Sequence, residues 1–471
     1  MIRQVSARAV ITATLAELAT DIASGALTAT LLLDECHARI AAHEANGANL
    51  SALIALNPAA EATALALDEE RRRGRLRGPL HGIPIVIKDN IDMAGMASSS
   101  GNKALAQSCA LRDAEAVRRL RAAGAVVVAK ANLSEFSFEI RSRSSLRGDV
   151  RNPFDPRVTS GGSSGGTAAA VAAGFAIGGI GTDTGGSLRV PASYTGLVGL
   201  RPSHGLIDLR GVAPLAPSTD TLGPIARSVE DAAILLNVLA GSEAARRVRP
   251  GEPSLARARV GVLRQAFGKE PAITELIDAA LQRLQAAGAI LVDPLEIPAS
   301  LLPAGRAQHI VDWEFRGAFD RYLLENFRPG SAPASLREIF ESGDYLPEYR
   351  DVLARRLAVA TTDDPLYREI LDFHRALSER LTALFDDQRL SALVYPASMV
   401  LPSSFENPAG GWAPELAACS GRPAITLPIG VSAGGLPVGI ELLGTPHGEG
   451  ALLRLAQEIE SLGNGRPFPA L

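Results

Sequence analysis

Apolar residues recur at two periods along this chain, and the alternation between those periods predicts a sheet clothed in helices. Near the start, Leu15, Leu18 and Ile22 fall three and four residues apart, the spacing of one helix face. Alanine and leucine interleaved with charge carry that helical texture from about residue 10 to 75, and Glu69 to Arg73 reads as a solvated helix face. The texture then changes. GPLHGIPIVIKDNID is a turn feeding a continuous apolar run, Ile83 to Ile87, that ends at Lys88. Such a run marks a buried strand. DAEAVRRLRAAGAVVVAKAN predicts a helix, a glycine stop and a strand from Ala125 to Ala129. ARVGVL (258–263), SALVYPA (391–397) and PAITLPI (423–429) repeat the strand pattern. Strands alternating with helices imply an α/β fold: a large, mixed, mostly parallel twisted sheet with helices on both faces.

Residues 297–390 break this rhythm. They are charged, helix-prone and rich in phenylalanine, and they read as a helical insertion over one side of the sheet. No repeat of 20–50 residues is visible, which excludes a solenoid.

Composition narrows the function class. Of the 471 residues, 46% are apolar and 21% charged, as in an ordinary globular chain with a large core. The formal net charge of −4 lacks the dense basic surface that captures nucleic acid broadly, so no nucleic-acid partner is expected. The two arginines near the N-terminus are followed by helical spacing rather than a long apolar run, so a signal peptide is not expected. Gly165 to Ile180 comes nearest to a membrane span, but glycines interrupt it and no charged anchors flank it. Cys36, Cys109 and Cys419 are odd in number and far apart, which fits a reducing, cytoplasmic compartment better than a disulfide framework. The seven histidines show no pair at metal-ligand spacing, and no metal or other cofactor is expected.

Three pieces carry candidate chemistry. Lys88 ends an apolar strand, so its stem is expected to be buried, and burial lowers a lysine pKa and makes a neutral base available. TSGGSSGGTAAAVAAG, residues 159–174, is a glycine-serine loop with a helix opening at about Gly165. By itself it reads as a plain helix-capping loop, an anion cradle or a hydroxyl held at a helix end; no G-K-S or G-K-T follows, which disfavours a phosphate-binding P-loop. GTDTGGSLRVPA, residues 181–192, places small residues before Ser187, where successive N–H groups can converge on an oxyanion.

Taken together, in the order Lys88, Ser163, Ser187, these pieces resemble the amidase signature family. The likeness runs through GIPIVIKDNI, AVVVAKANLSEF, RNPFDP, TSGGSSGGTAAAVAAG, GTDTGGSLRVPASYTGLVGLRPS and SGRPAITLPIGVSAGGLPVGIELLG, from about residue 60 to 444. The resemblance implies the family fold as a single domain over 1–471. Its parts are an N-terminal helical segment (about 1–75), a catalytic core (about 76–240), the insertion (about 297–390) and C-terminal core strands (about 391–471). It implies Ser187 as the acylated nucleophile, Ser163 as a proton relay in a cis peptide and Lys88 as the base. The N–H groups of Thr184, Gly185 and Gly186 become the oxyanion hole. Ser137 and Phe138 fall in the acyl-pocket segment NLSEFSFEI. Ser164, Asp183 and Arg189 become supporting residues, Ser164 by orienting the relay and Arg189 as an internal anchor. His204 is conspicuous in RPSHG, but the matched position in relatives need not be histidine. Arg201-Pro202 stands where a Lys-Pro pair is common, and Thr167 stands for a frequent serine.

Two enzymatic settings share these residues. One is a free-standing amidase acting on a small-molecule carboxamide, with a homodimer expected at family level. The other is the glutaminase subunit of a tRNA-dependent amidotransferase. The segment ENPAGGWAPELAACSGRPA is rich in Ala, Gly and Pro where the amidotransferase subunit usually carries tyrosine and aspartate, which favours the free-standing form. A non-enzymatic scaffold is disfavoured because all three triad residues are intact.

Overall fold

The computed structural model describes residues 12–245, 255–303, 309–359, 362–406, 415–463 and 465–471. Its strands are β1 (Leu53–Leu56), β2 (Pro84–Lys88), β3 (Val126–Ala131), β4 (Arg143–Ser144), β5 (Gly148–Asp149), β6 (Gly178–Asp183), β7 (Val198–Arg201), β8 (Thr221–Ala226), β9 (Arg259–Val262), β10 (Ile290–Val292), β11 (Ala392–Pro396), β12 (Ala424–Val431) and β13 (Pro437–Leu443). Eleven of them form one sheet in the order β1-β3-β2-β6-β8-β7-β12-β13-β11-β9-β10, and β4 pairs with β5. The expected α/β class with a large mixed sheet is what the molecule has. Parallel pairing is confined to two blocks, β3-β2-β6 and β11-β9-β10, and the strands between them pair antiparallel. The antiparallel share exceeds the expectation because short turns such as that from Ser432 to Leu436 return the chain directly, and antiparallel neighbours need no crossover helix.

Both faces of the sheet are buried, as continuous apolar strands require. Ile85 and Ile87 of β2 enter one apolar cluster while Val86 between them enters the other. The first cluster is closed by helices α1 (Leu15–Ser24), α2 (Ala29–His43) and α4 (Glu115–Ala122), among others. The second is closed by α2 again, α3 (Ala60–Arg72) and α5 (Gly165–Ala172). The spacing of Leu15, Leu18 and Ile22 does form α1, all three are buried, and Thr14 with Glu17 closes its start in a capping box. Every residue of α5 is buried. Its small side chains let it lie against β6 so tightly that a Cβ on Gly179 would come within 2.4 Å of Thr167 Cγ2, which is why glycine stands there.

The helical reading of residues 10–75 needs one correction. β1 lies between α2 and α3 as an edge strand, pairing antiparallel with β3. Its four residues, LIAL, are too few to display a period of two, and the alanine-rich surroundings conceal them. Residues 10 and 11 lie outside the described residues, as do 407–414 of the late segment used to weigh the two enzymatic settings.

After α6 (Arg189–Tyr194), α7 (Val229–Ala245) and α8 (Pro271–Ala286), the insertion supplies α9 (Val311–Asn326), α10 (Leu336–Ser342), α11 (Arg350–Ala358) and α12 (Pro365–Gln388); α13 (Leu416–Ser420) and α14 (Glu449–Ser461) follow. Only α12 contributes to the sheet-facing cluster, through Leu377, Leu381, Leu384 and Phe385. The other three pack Phe315, Phe319, Tyr322, Ile339 and Leu353 onto Leu105, Phe136, Phe138, Ala213 and Leu215, which lie in loops between strands. Each buried phenylalanine stabilises such a contact by about 1.5–3 kcal/mol. The insertion is thereby a firm roof over the loops that follow β3 and β7.

Candidate active site

Open α/β sheets bind ligands beyond the carboxyl ends of their parallel strands. β2 and β6 are parallel neighbours, with Ile87 opposite Ile180. Lys88 is the last residue of the first, and Thr182 and Asp183 close the second. Lys88 Nζ lies 2.7 Å from Ser163 Oγ and 2.8 Å from Thr182 Oγ1. Its side chain is fully buried. Burial pushes its pKa down, against the opposing pull of Asp183 and Asp220, to about 7. The buried stem expected from the sequence is therefore present, and the amine is shifted toward its neutral form.

Ser163 is fully buried, and the Gly162–Ser163 peptide is cis. Its carbonyl accepts from Ser134 N at 3.2 Å and Ser142 Oγ at 3.1 Å. Ser187 is 4% exposed, and its carbonyl accepts from Ser164 N at 3.2 Å, which ties the Ser187 loop to the serine loop. Gly186 has φ of +147°, a conformation that a side chain resists. Among the described residues, the N–H groups of Gly185, Gly186 and Ser187 donate to no acceptor in the protein, as donors reserved for an oxyanion would. The Thr184 N–H likewise meets no acceptor among the described residues, while its hydroxyl donates to Asp220 Oδ1 at 2.5 Å.

The supporting residues divide. Asp183 and Arg189 are fully buried and paired at 3.1 Å. Arg189 also pairs with Glu441 at 2.6 Å, and Arg201 with Asp183 at 2.8 Å. Asp183 further accepts from Leu188 N at 3.0 Å, beside the nucleophile. Although burial pushes its pKa up, Arg189 and Arg201 outweigh that and hold the carboxyl well below the usual range. Arg189 is thus an internal anchor. Ser164 does not reach the relay hydroxyl; its Oγ exchanges hydrogen bonds with the backbone of Thr182, at 3.1 and 3.3 Å. His204 is exposed on its own turn, with Nε2 2.9 Å from the Pro217 carbonyl.

Ser137 and Phe138 lie in the turn whose Ser134 holds the relay carbonyl. Ser137 N–H donates to Ser134 O at 2.7 Å. Phe138 sits against Phe136, Phe315 and Tyr349, with centroids 5.2, 4.9 and 5.4 Å away. The guanidinium of Arg356 lies 3.9 Å over its ring. Arg356 is buried and bonded to Asp312 at 3.1 Å, yet its Nη1 has no partner, and neither has Ser137 Oγ. Buried polar atoms without a partner call for an explanation.

Sequence reasoning misses Thr182, Asn90, Asp220 and Arg356. Thr182 sits inside the GTDTGGS block and Asn90 two residues past Lys88, so proximity to the family motifs is a usable signal for both. Asp220 and Arg356 reach the site only through the fold. All three cysteines are free, and among the described residues no group of His, Cys, Asp or Glu could hold a metal ion. Among the described residues no helix is long and apolar enough to cross a membrane.

A family model described as Amidase matches residues 32–453. The chain is 34% identical to a Glutamyl-tRNA(Gln) amidotransferase subunit from Deinococcus radiodurans, over 96% of this chain and 97% of that one. The native peptide amidase of Stenotrophomonas maltophilia superposes with a TM-score of 0.89 at 36% identity, covering 97% of this chain and 98% of that one. The corresponding Glutamyl-tRNA(Gln) amidotransferase subunit from Thermotoga maritima superposes with a TM-score of 0.75 at 25% identity, covering 100% and 99%. The first and third names overturn the partner expectation, which set a small amide and a second copy of the chain against any nucleic acid. Those relatives are named as one subunit of an assembly and by a tRNA. Net charge misleads because it sums over a whole chain, and a chain acting as one subunit need not carry the basic surface itself.

Proposed function

The chain belongs to the amidase signature family, and on that premise we propose that it hydrolyses a carboxamide C–N bond through an acyl-enzyme on Ser187, releasing ammonia or an amine. The observation that carries the reading is Lys88: a buried amine 2.7 Å from Ser163 Oγ whose pKa is lowered to about 7. In this reading neutral Lys88 takes a proton from Ser163 as Ser163 takes one from Ser187, and Ser187 Oγ attacks the carbonyl carbon. The oxyanion is met by the N–H groups of the Thr184–Gly186 loop. The proton returns through Ser163 to the leaving nitrogen, the C–N bond breaks, and water attacks the ester by the same relay to free Ser187 and a carboxylate.

Two settings fit that chemistry. The names of the curated relatives support the glutaminase subunit of a tRNA-dependent amidotransferase over the free-standing amidase favoured by the sequence segment. Arg356 supports the same setting, since a buried guanidinium with an unused N–H against Phe138 suits a substrate that carries a carboxylate, as glutamine does. The free-standing reading has one observation of its own, the higher structural likeness to a peptide amidase, 0.89 against 0.75. Ammonia release by the purified chain separates them. Glutamine hydrolysis that rises on adding partner subunits supports the first setting; full turnover of peptide amides by the chain alone supports the second. No release from any amide overturns the proposal.

The base makes a prediction about pH. Lys88 acts only when neutral, so kcat/KM is expected to rise with pH through about 7 and level off above it. Lys88→Arg, which stays protonated, is expected to remain inactive across the whole neutral and mildly alkaline range. An activity that falls as pH rises through neutrality would show that the proton is taken elsewhere.

A further inference from the structure

Behind the base lies a cavity of about 140 Å³ that the proposed mechanism does not use. Asn90, Thr182, Thr184, Asp220 and Thr221 give it a polar side, and Leu209 to Pro217 an apolar one. Thr182 is the residue that receives Lys88 Nζ on the side away from Ser163, and Asn90 Nδ2 donates to the same hydroxyl at 3.1 Å. Among the described residues that line it, which do not include Arg210, Asp220 alone is ionisable. One of its oxygens accepts the Thr184 hydroxyl at 2.5 Å, and the other accepts the backbone N–H groups of Leu215 at 2.8 Å and Ala216 at 3.0 Å.

We propose that Asp220 is a positioning residue that couples the two halves of the site, clamping the oxyanion loop through Thr184 while its carboxylate, in the same cavity wall as Thr182, acts on the Lys88 amine that Thr182 receives. The inference rests on Lys88 being the base. The arrangement has a physical logic. A carboxylate that only fixed a loop could be exchanged for a neutral acceptor without consequence for a lysine one residue layer away. A carboxylate buried in the same low-dielectric surroundings as that lysine favours the ammonium. Burial lowers the pKa of Lys88, and Asp183 and Asp220 both raise it. Asp183 is itself neutralised by Arg189 and Arg201, whereas the three hydrogen bonds to Asp220 come from neutral donors. Burial pushes the Asp220 carboxyl up, and the hydrogen bonds from Thr184, Leu215 and Ala216, with the charge of Arg201, work against that and favour its ionised form.

The test is the pH profile of kcat/KM for ammonia release, measured on the full chain with any partner subunits it requires. Asp220→Asn is expected to move the ascending limb down by about half a pH unit or more, as loss of a nearby opposite charge does. Thr184→Val removes the clamp and keeps the charge; it is expected to lower kcat about tenfold or more, leaving the limb in place and KM within about twofold. A limb that stays put in folded Asp220→Asn overturns the electrostatic role, and an unchanged kcat in Thr184→Val overturns the clamp, so the second variant decides if the first does not fold. A wild-type profile with no limb near 7 is a different failure, because it removes Lys88 as base and with it the proposed function.

Discussion

Ser187→Ala is expected to lower amide hydrolysis by about 10⁴-fold or more while leaving the fold intact, because one atom carries the covalent step. The side chain lost is small, and its Oγ takes part in none of the hydrogen bonds that hold the loop; those run through the Ser187 carbonyl to Ser164 and through Leu188 N to Asp183. The melting temperature is therefore expected to move by no more than a surface substitution would move it, about 0.5 kcal/mol in stability. Residual turnover of some orders of magnitude above water is consistent with the reading, since oxyanion donors and substrate binding survive the change. A serine-directed sulfonyl fluoride should label wild-type protein at Ser187 by mass spectrometry, and labelling should vanish in the variant. Turnover within about tenfold of wild type in a folded Ser187→Ala protein would mean that the nucleophile is another group.

How much of the molecule is legible in its sequence depends on whether a residue's role is local. The burial of Lys88 is readable because it follows from the apolar neighbours that precede it, which cover the stem. The glycine-serine loop is readable because a tight turn and close backbone approach leave few residue choices. β1 is not readable, since four residues at a sheet edge carry almost no period. The orientation of the insertion is not readable either: an apolar face on α9 says that something covers it, and only the fold determines that Phe136 and Phe138 do so rather than the sheet. Adjacency assigns Ser164 to the relay, but neighbouring side chains in a turn can point different ways, and its hydroxyl serves Thr182 instead. Asp220 and Arg356 stand outside every family motif. Their roles depend on contacts across 36 and more residues of chain, which no local pattern records.

The buried ion network beneath Ser187 yields the largest expected effect on stability. Asp183, Arg189, Arg201 and Glu441 have side chains with no exposure to solvent, and two positive charges balance two negative ones. In such a network the desolvation cost of each ion is offset only by its partners, so removing one partner is worse than never having had the set. Asp183→Ala leaves two arginines beside each other with Glu441, paired to Arg189, as the one carboxylate still in contact, and it strips Leu188 N of its acceptor. It is expected to cost about 3–5 kcal/mol, read from the urea midpoint at unchanged slope. The pH dependence follows from the sign of the shift. The folded-state pKa of Asp183 lies below its unfolded value, so its stabilisation is fully present above the ordinary aspartate range near 4. It is lost as pH falls below that range toward the folded pKa. The wild-type protein should therefore lose stability on acidification below about pH 4 more steeply than Asp183→Ala does. Because Leu188 follows the nucleophile directly, the same variant is expected to lower kcat at temperatures where it remains folded, whereas Glu441→Gln, which reaches the loop only through Arg189, should lower stability with a smaller loss of rate. A cost below about 1 kcal/mol for Asp183→Ala, or acid profiles that run parallel in the two proteins, would show that the four charges do not hold one another in place.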